Sequence, residues 1–182
     1  MKRLFDIVVA TLALIVLALP LLLLFLFVRL KLGGPVLFRQ IRPGLGGKPF
    51  EMVKFRTMSN ARGPDGELLP DADRLLPIGR WMRSTSVDEL PELWNVLKGD
   101  MSLVGPRPEM EFIVERYEPW QKFRLKAKPG LTGLWQILGR KDIPLHDNLE
   151  YDFYYVTNRC LILDVSILLK TVPAVLFGRG AY

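Results

Sequence analysis

The chain has 182 residues, of which 49% are apolar and 24% charged, and this predicts a single folded domain and argues against disorder. One cysteine and one histidine exclude a disulfide framework, and also a structural zinc site, which needs about four Cys/His ligands. The net charge of +6 suits anionic lipid, nucleic acid or a phosphorylated substrate and does not choose among them.

The charges are distributed unevenly along the chain. Residues 63–118 carry twelve acids against six bases, whereas the flanking segments 29–62 and 119–182 are basic. An acidic middle between basic zones fits a site for metal and phosphate better than a uniform nucleic-acid surface. We therefore expect no nucleic-acid partner.

The single thiol gives no sign of an oxidising compartment.

The first predicted element is an apolar run over residues 7–28, in which Thr11 is the only polar side chain among 22 residues. As a helix it would rise roughly 33 Å, enough to span a bilayer. The run is too long for a cleaved signal peptide. Cations flank both ends, and Pro20 removes a helix hydrogen bond and favours a kink. A single span and a helix that bends at Pro20 and returns to the same face both fit this pattern.

Short β-elements follow the apolar run. Residues 36–38 and 50–55 are predicted to be strands of a hairpin, joined by a Pro/Gly-rich turn over 42–48. Within this turn, residues 44–48 resemble a phosphate loop only superficially, because the Walker spacing and the Ser/Thr after the lysine are missing. Residues 60–73 are predicted to be a polar loop.

The second half of the chain carries helical patterns. Ser86 and Glu89 match a capping box, which predicts a helix that ends at Gly99. Residues 109–126 predict one or two amphipathic helices. The last apolar stretch, 161–177, contains charges and a proline that argue against a second span, so we expect a helix against the core or the membrane surface.

Few side chains are candidates for nucleophilic chemistry. His146 has no nucleophile-elbow sequence to act with, and Cys160 is expected to be a buried structural thiol. The adjacent carboxylates Asp88 and Glu89 remain. They stand at the first turn of the predicted helix, where the helix dipole alone would favour acids.

Nearby cations support a functional interpretation of the two carboxylates. Arg83 precedes them, and Arg107 follows between two prolines as a stiff guanidinium fork suited to phosphate. Adjacent carboxylates also suit Mg²⁺, which commonly bridges to phosphate oxygens. Lys54 and Arg56 add two more cations near the membrane end.

Several motifs occur in order along the chain: KFRTM at 54–58, SVDELP at 86–91, GDMSLVGPRP at 99–108, KPGLTGLWQ at 128–136 and YDFYYV at 151–156. With these motifs the sequence resembles the monotopic phosphoglycosyl transferases, the bacterial sugar transferase family that begins polysaccharide and glycoconjugate assembly on a polyprenyl phosphate. The resemblance covers nearly the whole chain.

The resemblance implies an α/β or α+β fold. Residues 1–32 would form a re-entrant membrane helix broken at Pro20. Residues 33–182 would form a membrane-associated catalytic domain with a small sheet or hairpin and amphipathic interfacial helices. The protein would be monotopic on the cytoplasmic face of the bacterial inner membrane, in the small form that consists of the catalytic domain alone.

The resemblance also implies a reaction: a sugar-1-phosphate passes from a UDP-sugar to undecaprenyl phosphate with release of UMP, with Mg²⁺ and through a covalent phosphosugar intermediate. Asp88 would be the nucleophile, and Glu89, together with Asp88, would hold the metal ion. The substrate-binding positions that the resemblance implies are Lys54, Arg56, Arg83, Arg107 and Asp152.

Two positions depart from the family pattern, since Leu19 stands where a serine usually precedes the proline and Lys141 where an asparagine commonly follows the arginine. Two other functions stay open. One is a membrane-anchored Mg²⁺-dependent diphosphatase that passes phosphate to water. The other is a basic membrane-surface adaptor that binds anionic lipid or nucleic acid, a role that would survive the loss of Asp88 as long as the basic residues remain. The sequence leaves open the sugar, the pathway and the oligomeric state, including a homo-oligomer.

Overall fold

A computed structural model of the chain describes residues 1–138, 145 and 148–176. His146 and the segment 139–141 lie outside the described residues. The mixed α and β class with small sheets is confirmed. The elements follow in the order α1 (Lys2–Val16), α2 (Ala18–Leu32), β1 (Leu37–Pro43), β2 (Pro49–Phe55), α3 (Asp71–Arg74), α4 (Pro77–Ser84), α5 (Glu92–Lys98), β3 (Ser102–Val104), α6 (Glu111–Glu115), β4 (Gly130–Thr132), α7 (Leu134–Leu138), α8 (Glu150–Asn158) and α9 (Leu161–Leu176). The connections between them include 3-10 turns at Leu45–Gly47, Val87–Glu89 and Gln121–Lys126.

The predicted hairpin is confirmed as the antiparallel pair β1 and β2. Its turn is the glycine-rich segment that superficially resembles a phosphate loop. Phe38 faces Lys54 and Arg42 faces Phe50 across the pair. Directly opposed residues, and residues two apart on one strand, share a face of a sheet. Arg42 and Lys54 therefore lie on the same face of the hairpin, near its opposite ends.

The apolar N-terminal run forms two helices, α1 and α2, which meet at 63° around Leu17. In the described part of the chain no single helix is long and apolar enough to cross a membrane, whereas this bent pair is, by length and composition. The bend lies three residues before Pro20 and not at it. Proline lacks an N–H and its ring crowds the carbonyl four residues earlier, which here belongs to Val16, the last residue of α1. The predicted position of the kink is thus corrected by about one turn, while the bend itself fits Pro20 as its cause.

Polar side chains at the start of α1 anchor this helix to the rest of the protein. The buried Asp6 carboxylate accepts hydrogen bonds from the Ser102 hydroxyl at 2.9 Å and the Leu103 N–H at 3.2 Å. Lys2 pairs with Asp164 of α9 at 2.6 Å. One face of α1 also joins the main hydrophobic core through the fully buried Ala10. The proposed division into residues 1–32 and 33–182 stays a prediction.

β3 and β4 form a short parallel pair that sets the path of the chain beyond β3. Gly105, directly after β3, packs against the backbone of Gly130 and Gly133. A methyl group added to any of these three glycines would overlap main-chain atoms. The chain consequently leaves β3 in close contact with residues 130–133, which include β4. Two residues after Gly105 it reaches Arg107.

The predicted capping box at Ser86 is wrong, although the predicted helix end at Gly99 is confirmed. Ser86 adopts a left-handed backbone with φ of 55° and makes no capping hydrogen bond through its side chain. Val87–Glu89 forms a separate 3-10 turn, and α5 begins only after Pro91. A proline fits well at a helix start because its missing N–H has no partner there.

The remaining helical predictions are confirmed with shorter bounds. Residues 109–126 contain α6 and the 3-10 turn Gln121–Lys126, and 161–177 corresponds to α9. The expectation that Cys160 is buried is wrong: its side chain is exposed, because the residue lies in the corner between α8 and α9. On α9, large apolar side chains also face outward, at Leu161, Ile162, Val165, Leu169 and Val172.

Candidate functional site

The two adjacent carboxylates lie in the 3-10 turn Val87–Glu89, which follows the left-handed Ser86. Ser86 is the one non-glycine residue in the described ranges with positive φ. Such a backbone costs free energy for a residue with a Cβ atom, and it is maintained only where the surrounding structure requires it. Here it turns the chain sharply out of α4, so that Asp88 and Glu89 face the hairpin.

Glu89 is held by two cations that come from different parts of the chain. Lys54 of β2 lies 2.8 Å from its Oε1, and Arg107 donates to Oε1 at 2.6 Å and to Oε2 at 3.2 Å. This two-point pairing by a guanidinium is both strong and directional. Although burial opposes ionisation, Arg107 and Lys54 hold the pKa of Glu89 well below its usual range. Glu89 is therefore a carboxylate throughout the neutral pH range.

Asp88 differs electrostatically from its neighbour. Its side chain is buried, and burial together with the negative charge of Glu89 raises the pKa of Asp88 to about 6, against the opposing effect of Lys54 and Arg107. The pKa values of these two adjacent carboxyl groups are thus shifted in opposite directions. A carboxylate with a pKa near 6 is ionised at neutral pH and more basic than an ordinary aspartate, which suits a nucleophile.

Glu92 is a third carboxyl group at the site, and it is not among the site residues predicted from the sequence. It is 2% exposed and lies 3.2 Å from the Lys54 ammonium. Burial raises the pKa of Glu92 to about 7. Asn95, one turn later on α5, accepts a hydrogen bond from the Val53 N–H at 3.1 Å and donates to the Glu51 carbonyl at 2.6 Å. These bonds fix α5 against β2, and with it the position of Glu92 beside Lys54.

Arg107 follows β3, and buried side chains surround its backbone. Asp152 of α8 does not reach the carboxylate cluster itself. It pairs with Arg124 at 2.7 Å, and both side chains are almost fully buried. Arg124 in turn donates to the Arg107 carbonyl at 2.6 Å. Arg42 of β1 donates to the next carbonyl, that of Pro108, at 3.4 Å. Neither Arg124 nor Arg42 is among the site residues predicted from the sequence.

The other two predicted cations make their hydrogen bonds to groups outside the Lys54–Glu89–Arg107 cluster. Arg56 donates to the carbonyls of Leu32, Gly33 and Gly34 and so holds the connection between α2 and β1. Arg83, at the end of α4, donates through Nε to the Thr57 hydroxyl at 3.1 Å. Of the five predicted substrate-binding residues, the structure thus brings Lys54 and Arg107 into contact with Glu89.

The donor set can be compared with what Mg²⁺ requires. This ion takes oxygen ligands and is commonly held by one or two carboxylates, with substrate phosphates and water completing its shell. Within the described ranges no three Asp, Glu, His or Cys side chains converge into a preformed metal cage. The adjacent carboxylates of Asp88 and Glu89 are donors of the type that such an ion uses when phosphate oxygens and water supply its other ligands.

Comparison with known proteins places these residues in a family. Residues 1–178 match the family described as bacterial sugar transferase. A protein of Bacillus subtilis named uncharacterized sugar transferase EpsL is 48% identical over 180 residues, which cover 99% of this chain and 89% of that protein.

Relatives with more specific names also match the whole chain. The UDP-glucose:undecaprenyl-phosphate glucose-1-phosphate transferase of Caulobacter vibrioides is 42% identical, and the match covers 72% of its length. The undecaprenyl-phosphate galactose phosphotransferase of Salmonella typhimurium is also 42% identical, and the match covers 42% of its length. The family match and the overlap with EpsL together show that this chain belongs to the bacterial sugar transferase family.

Proposed function

We propose that this protein transfers a sugar-1-phosphate from a UDP-sugar to undecaprenyl phosphate and releases UMP. Relatives named for sugar-phosphate transfer to undecaprenyl phosphate support the substrate class. The observation that carries the proposal is a pair of adjacent carboxylates whose pKa values are shifted in opposite directions. Asp88 is buried with a raised pKa, while Glu89 is held ionised by Lys54 and Arg107.

The proposed reaction consists of two displacements at one phosphorus atom. The Asp88 carboxylate attacks the phosphorus next to the sugar, a bond forms between its oxygen and phosphorus, and the bond to the UMP oxygen breaks. A phosphate oxygen of undecaprenyl phosphate then attacks the same phosphorus and displaces the carboxylate. Splitting the transfer in this way lets one site serve two substrates in turn.

The cations of the site are well suited to an anionic donor. Arg107 and Lys54 stand beside the carboxylates, where they would neutralise the diphosphate and the departing UMP. Arg83 is oriented through Thr57 and would contact phosphate. The bonds of Arg56 to the carbonyls after α2 favour a role in holding the membrane helices to the hairpin.

We further propose that Mg²⁺ binds with the donor, and that Glu89, together with Asp88, supplies the protein ligands. When bound, the ion would offset negative charge on the phosphate oxygens. Arg107 and Lys54, which contact Glu89, would stand beside the same diphosphate.

The acidic limb of the pH profile is expected to report Asp88. The carboxylate is the nucleophile, and the pKa of Asp88 is about 6 in the protein without donor or metal ion. At UDP-sugar concentrations well below saturation, the rate of phosphosugar transfer to the protein should therefore fall about tenfold per pH unit below pH 6. Single-turnover labelling without undecaprenyl phosphate, from about pH 5 to about pH 8, measures this directly. Glu92→Gln removes the neighbouring titration and should leave the limb in place. A profile that is flat through pH 6 would contradict the assignment.

The membrane arrangement is also a proposal. Cations flank both ends of the apolar run, α1 and α2 bend by 63°, and large apolar side chains such as Leu4 and Leu30 are exposed on them. These features support a monotopic protein whose N-terminus and catalytic residues share the cytoplasmic face of the bacterial inner membrane.

Both ends of the bent pair are expected to face the same side. In a Cys160→Ser background, one cysteine added before Met1 and another at the exposed Asn60 should react equally with an impermeant thiol reagent. The reagent should reach both cysteines from the cytoplasmic side of inverted vesicles and neither from the outer side of intact spheroplasts. Opposite sidedness of the two labels would establish a simple span.

The products of the reaction test the function itself. A panel of UDP-sugars with undecaprenyl phosphate should give UMP and a lipid-linked sugar diphosphate in equal amounts. A diphosphatase would instead give UMP and free sugar phosphate, whether or not the lipid is present. A membrane adaptor would release no UMP at all, so the three functions are separated by one assay.

A further inference from the structure

The backbone around Arg107 is held at successive residues by groups from separate parts of the fold. The Val104 carbonyl accepts the Tyr155 hydroxyl at 2.8 Å. The Gly105 N–H donates to the Thr132 carbonyl and the Pro106 carbonyl accepts the Gly130 N–H, both at 2.9 Å. This leaves the carbonyls of Arg107 and Pro108, which lie beyond the reach of the β3–β4 pairing.

Those two carbonyls are held by arginine side chains. Arg124 donates to the carbonyl of Arg107 at 2.6 Å, and Arg42 donates to that of Pro108 at 3.4 Å. Both arginines are buried; Arg124 is 2% exposed. Burying a guanidinium costs free energy unless its charge and its N–H groups are matched, so a buried arginine that binds a backbone carbonyl needs further partners.

Both arginines make a further side-chain hydrogen bond, but among the described residues only Arg124 meets a charged partner in this way. The Nε of Arg42 is buried without a hydrogen-bond partner in the described part of the chain. Arg124 donates through Nε to the Asp152 carboxylate at 2.7 Å, which fixes the plane of the guanidinium while Nη2 reaches the Arg107 carbonyl. Arg42 donates through Nη2 to the Gln40 amide oxygen at 2.8 Å, on the same face of the hairpin. The two side chains thus connect α8 and β1 to one short segment of backbone.

We propose that Arg124, oriented by Asp152, and Arg42 are positioning residues, which fix the backbone on both sides of Arg107 so that its guanidinium meets Glu89 and the donor diphosphate. This inference rests on the proposed function. It assigns Asp152 an effect on catalysis through Arg124 and Arg107 and not through contact with substrate.

Prolines explain why side chains are needed at this place. Pro106 and Pro108 have no N–H, so the segment can be held only through its carbonyls and the N–H of Arg107. A long arginine side chain also amplifies any backbone displacement at its base. Misplacement by about 1 Å at a reacting centre can cost on the order of a hundredfold in rate, so the two carbonyl contacts bear directly on the chemistry.

Arg124→Lys tests the proposal with little loss of buried charge. The lysine keeps a cation beside Asp152 but is too short, and has too few fixed donors, to hold the Arg107 carbonyl as well. We expect kcat/KM for the UDP-sugar to fall roughly 10- to 100-fold, mainly in kcat, with thermal unfolding close to that of the wild type. Arg159→Lys is the matched control, since the exposed Arg159 also donates to a backbone carbonyl, that of Lys126.

A double-mutant cycle separates positioning from general damage. In an Arg107→Ala background, which has lost the guanidinium to be positioned, Arg124→Lys and Arg42→Lys should each lower the residual UMP release less than twofold. Losses that multiply fully in that background would overturn the proposal, and so would wild-type activity of both single variants. Arg42→Lys lies in the hairpin and provides an independent test if Arg124→Lys folds poorly.

Failure of the proposed function gives a different result. If the wild-type protein releases no UMP from any UDP-sugar with undecaprenyl phosphate, the substrate assignment is wrong. If the wild type is active and the cycle is fully additive, the reaction stands and the positioning role of Arg124 and Arg42 falls.

Discussion

Replacing Asp88 with asparagine is expected to lower UMP release by about a thousandfold or more, because an amide is a poor nucleophile and cannot form an acyl phosphate. The substitution keeps the size of the buried side chain, so the fold should persist. Incubation with a UDP-sugar labelled in the sugar, without undecaprenyl phosphate, should leave label on the wild-type protein and none on Asp88→Asn. Peptide mapping should place the label at residue 88.

Asp71→Asn is a suitable control for this experiment. Asp71 is an exposed carboxylate that pairs with Arg74 one turn later. It has no part in the proposed reaction. This variant should label and turn over as the wild type does. Label that persists on Asp88→Asn, or turnover within tenfold of the wild type, would show that another carboxylate is the nucleophile.

Glu89→Gln is expected to produce the second largest loss, about 100- to 1,000-fold in turnover. The amide keeps the shape of the side chain but removes the negative charge that Arg107 and Lys54 share. One of its two polar atoms then becomes a donor pointed at a cation, which disrupts the two-point pairing with Arg107. Unlike Asp88→Asn, this variant should still accumulate label at residue 88, but slowly.

Glu92→Gln is the matched comparison, because Glu92 also contacts Lys54 but belongs to α5. With a pKa of about 7, Glu92 is partly neutral at neutral pH, so its amide is a close mimic of the existing state. We expect a loss of less than about tenfold. Equal losses in Glu89→Gln and Glu92→Gln would indicate that the cluster responds to its total charge and that the Arg107–Glu89 pair has no special role.

Several features of this protein are determined by the sequence alone, because they depend on neighbours in the chain. The hairpin follows from short apolar strands around a glycine-rich turn. The end of α5 follows from Gly99, whose φ of 95° favours a residue without a Cβ atom. The bent N-terminal pair follows from a long apolar run interrupted by Pro20. Asp88 and Glu89 are adjacent in the chain and stand out for that reason.

Other features depend on tertiary packing. Glu92 could be suspected, since it lies one helical turn after Glu89, but only the contact of α5 with β2 brings it to Lys54. Nothing in the run of basic residues around Arg124 distinguishes it from its exposed neighbours. It is buried because α8 places Asp152 against it.

The same dependence on tertiary packing explains why the predicted cations take different roles in the folded protein. Lys54, Arg56, Arg83 and Arg107 are equivalent as sequence letters near a pair of acids. A long side chain can reach partners in several directions, so the nearest unpaired acceptor after folding decides its role. For Arg107 that acceptor is the Glu89 carboxylate, whereas for Arg56 it is the set of carbonyls that follows α2. The chemistry of the carboxylate pair is visible in the sequence, and the electrostatic difference between its two members arises only from burial and from cations that folding brings to Glu89.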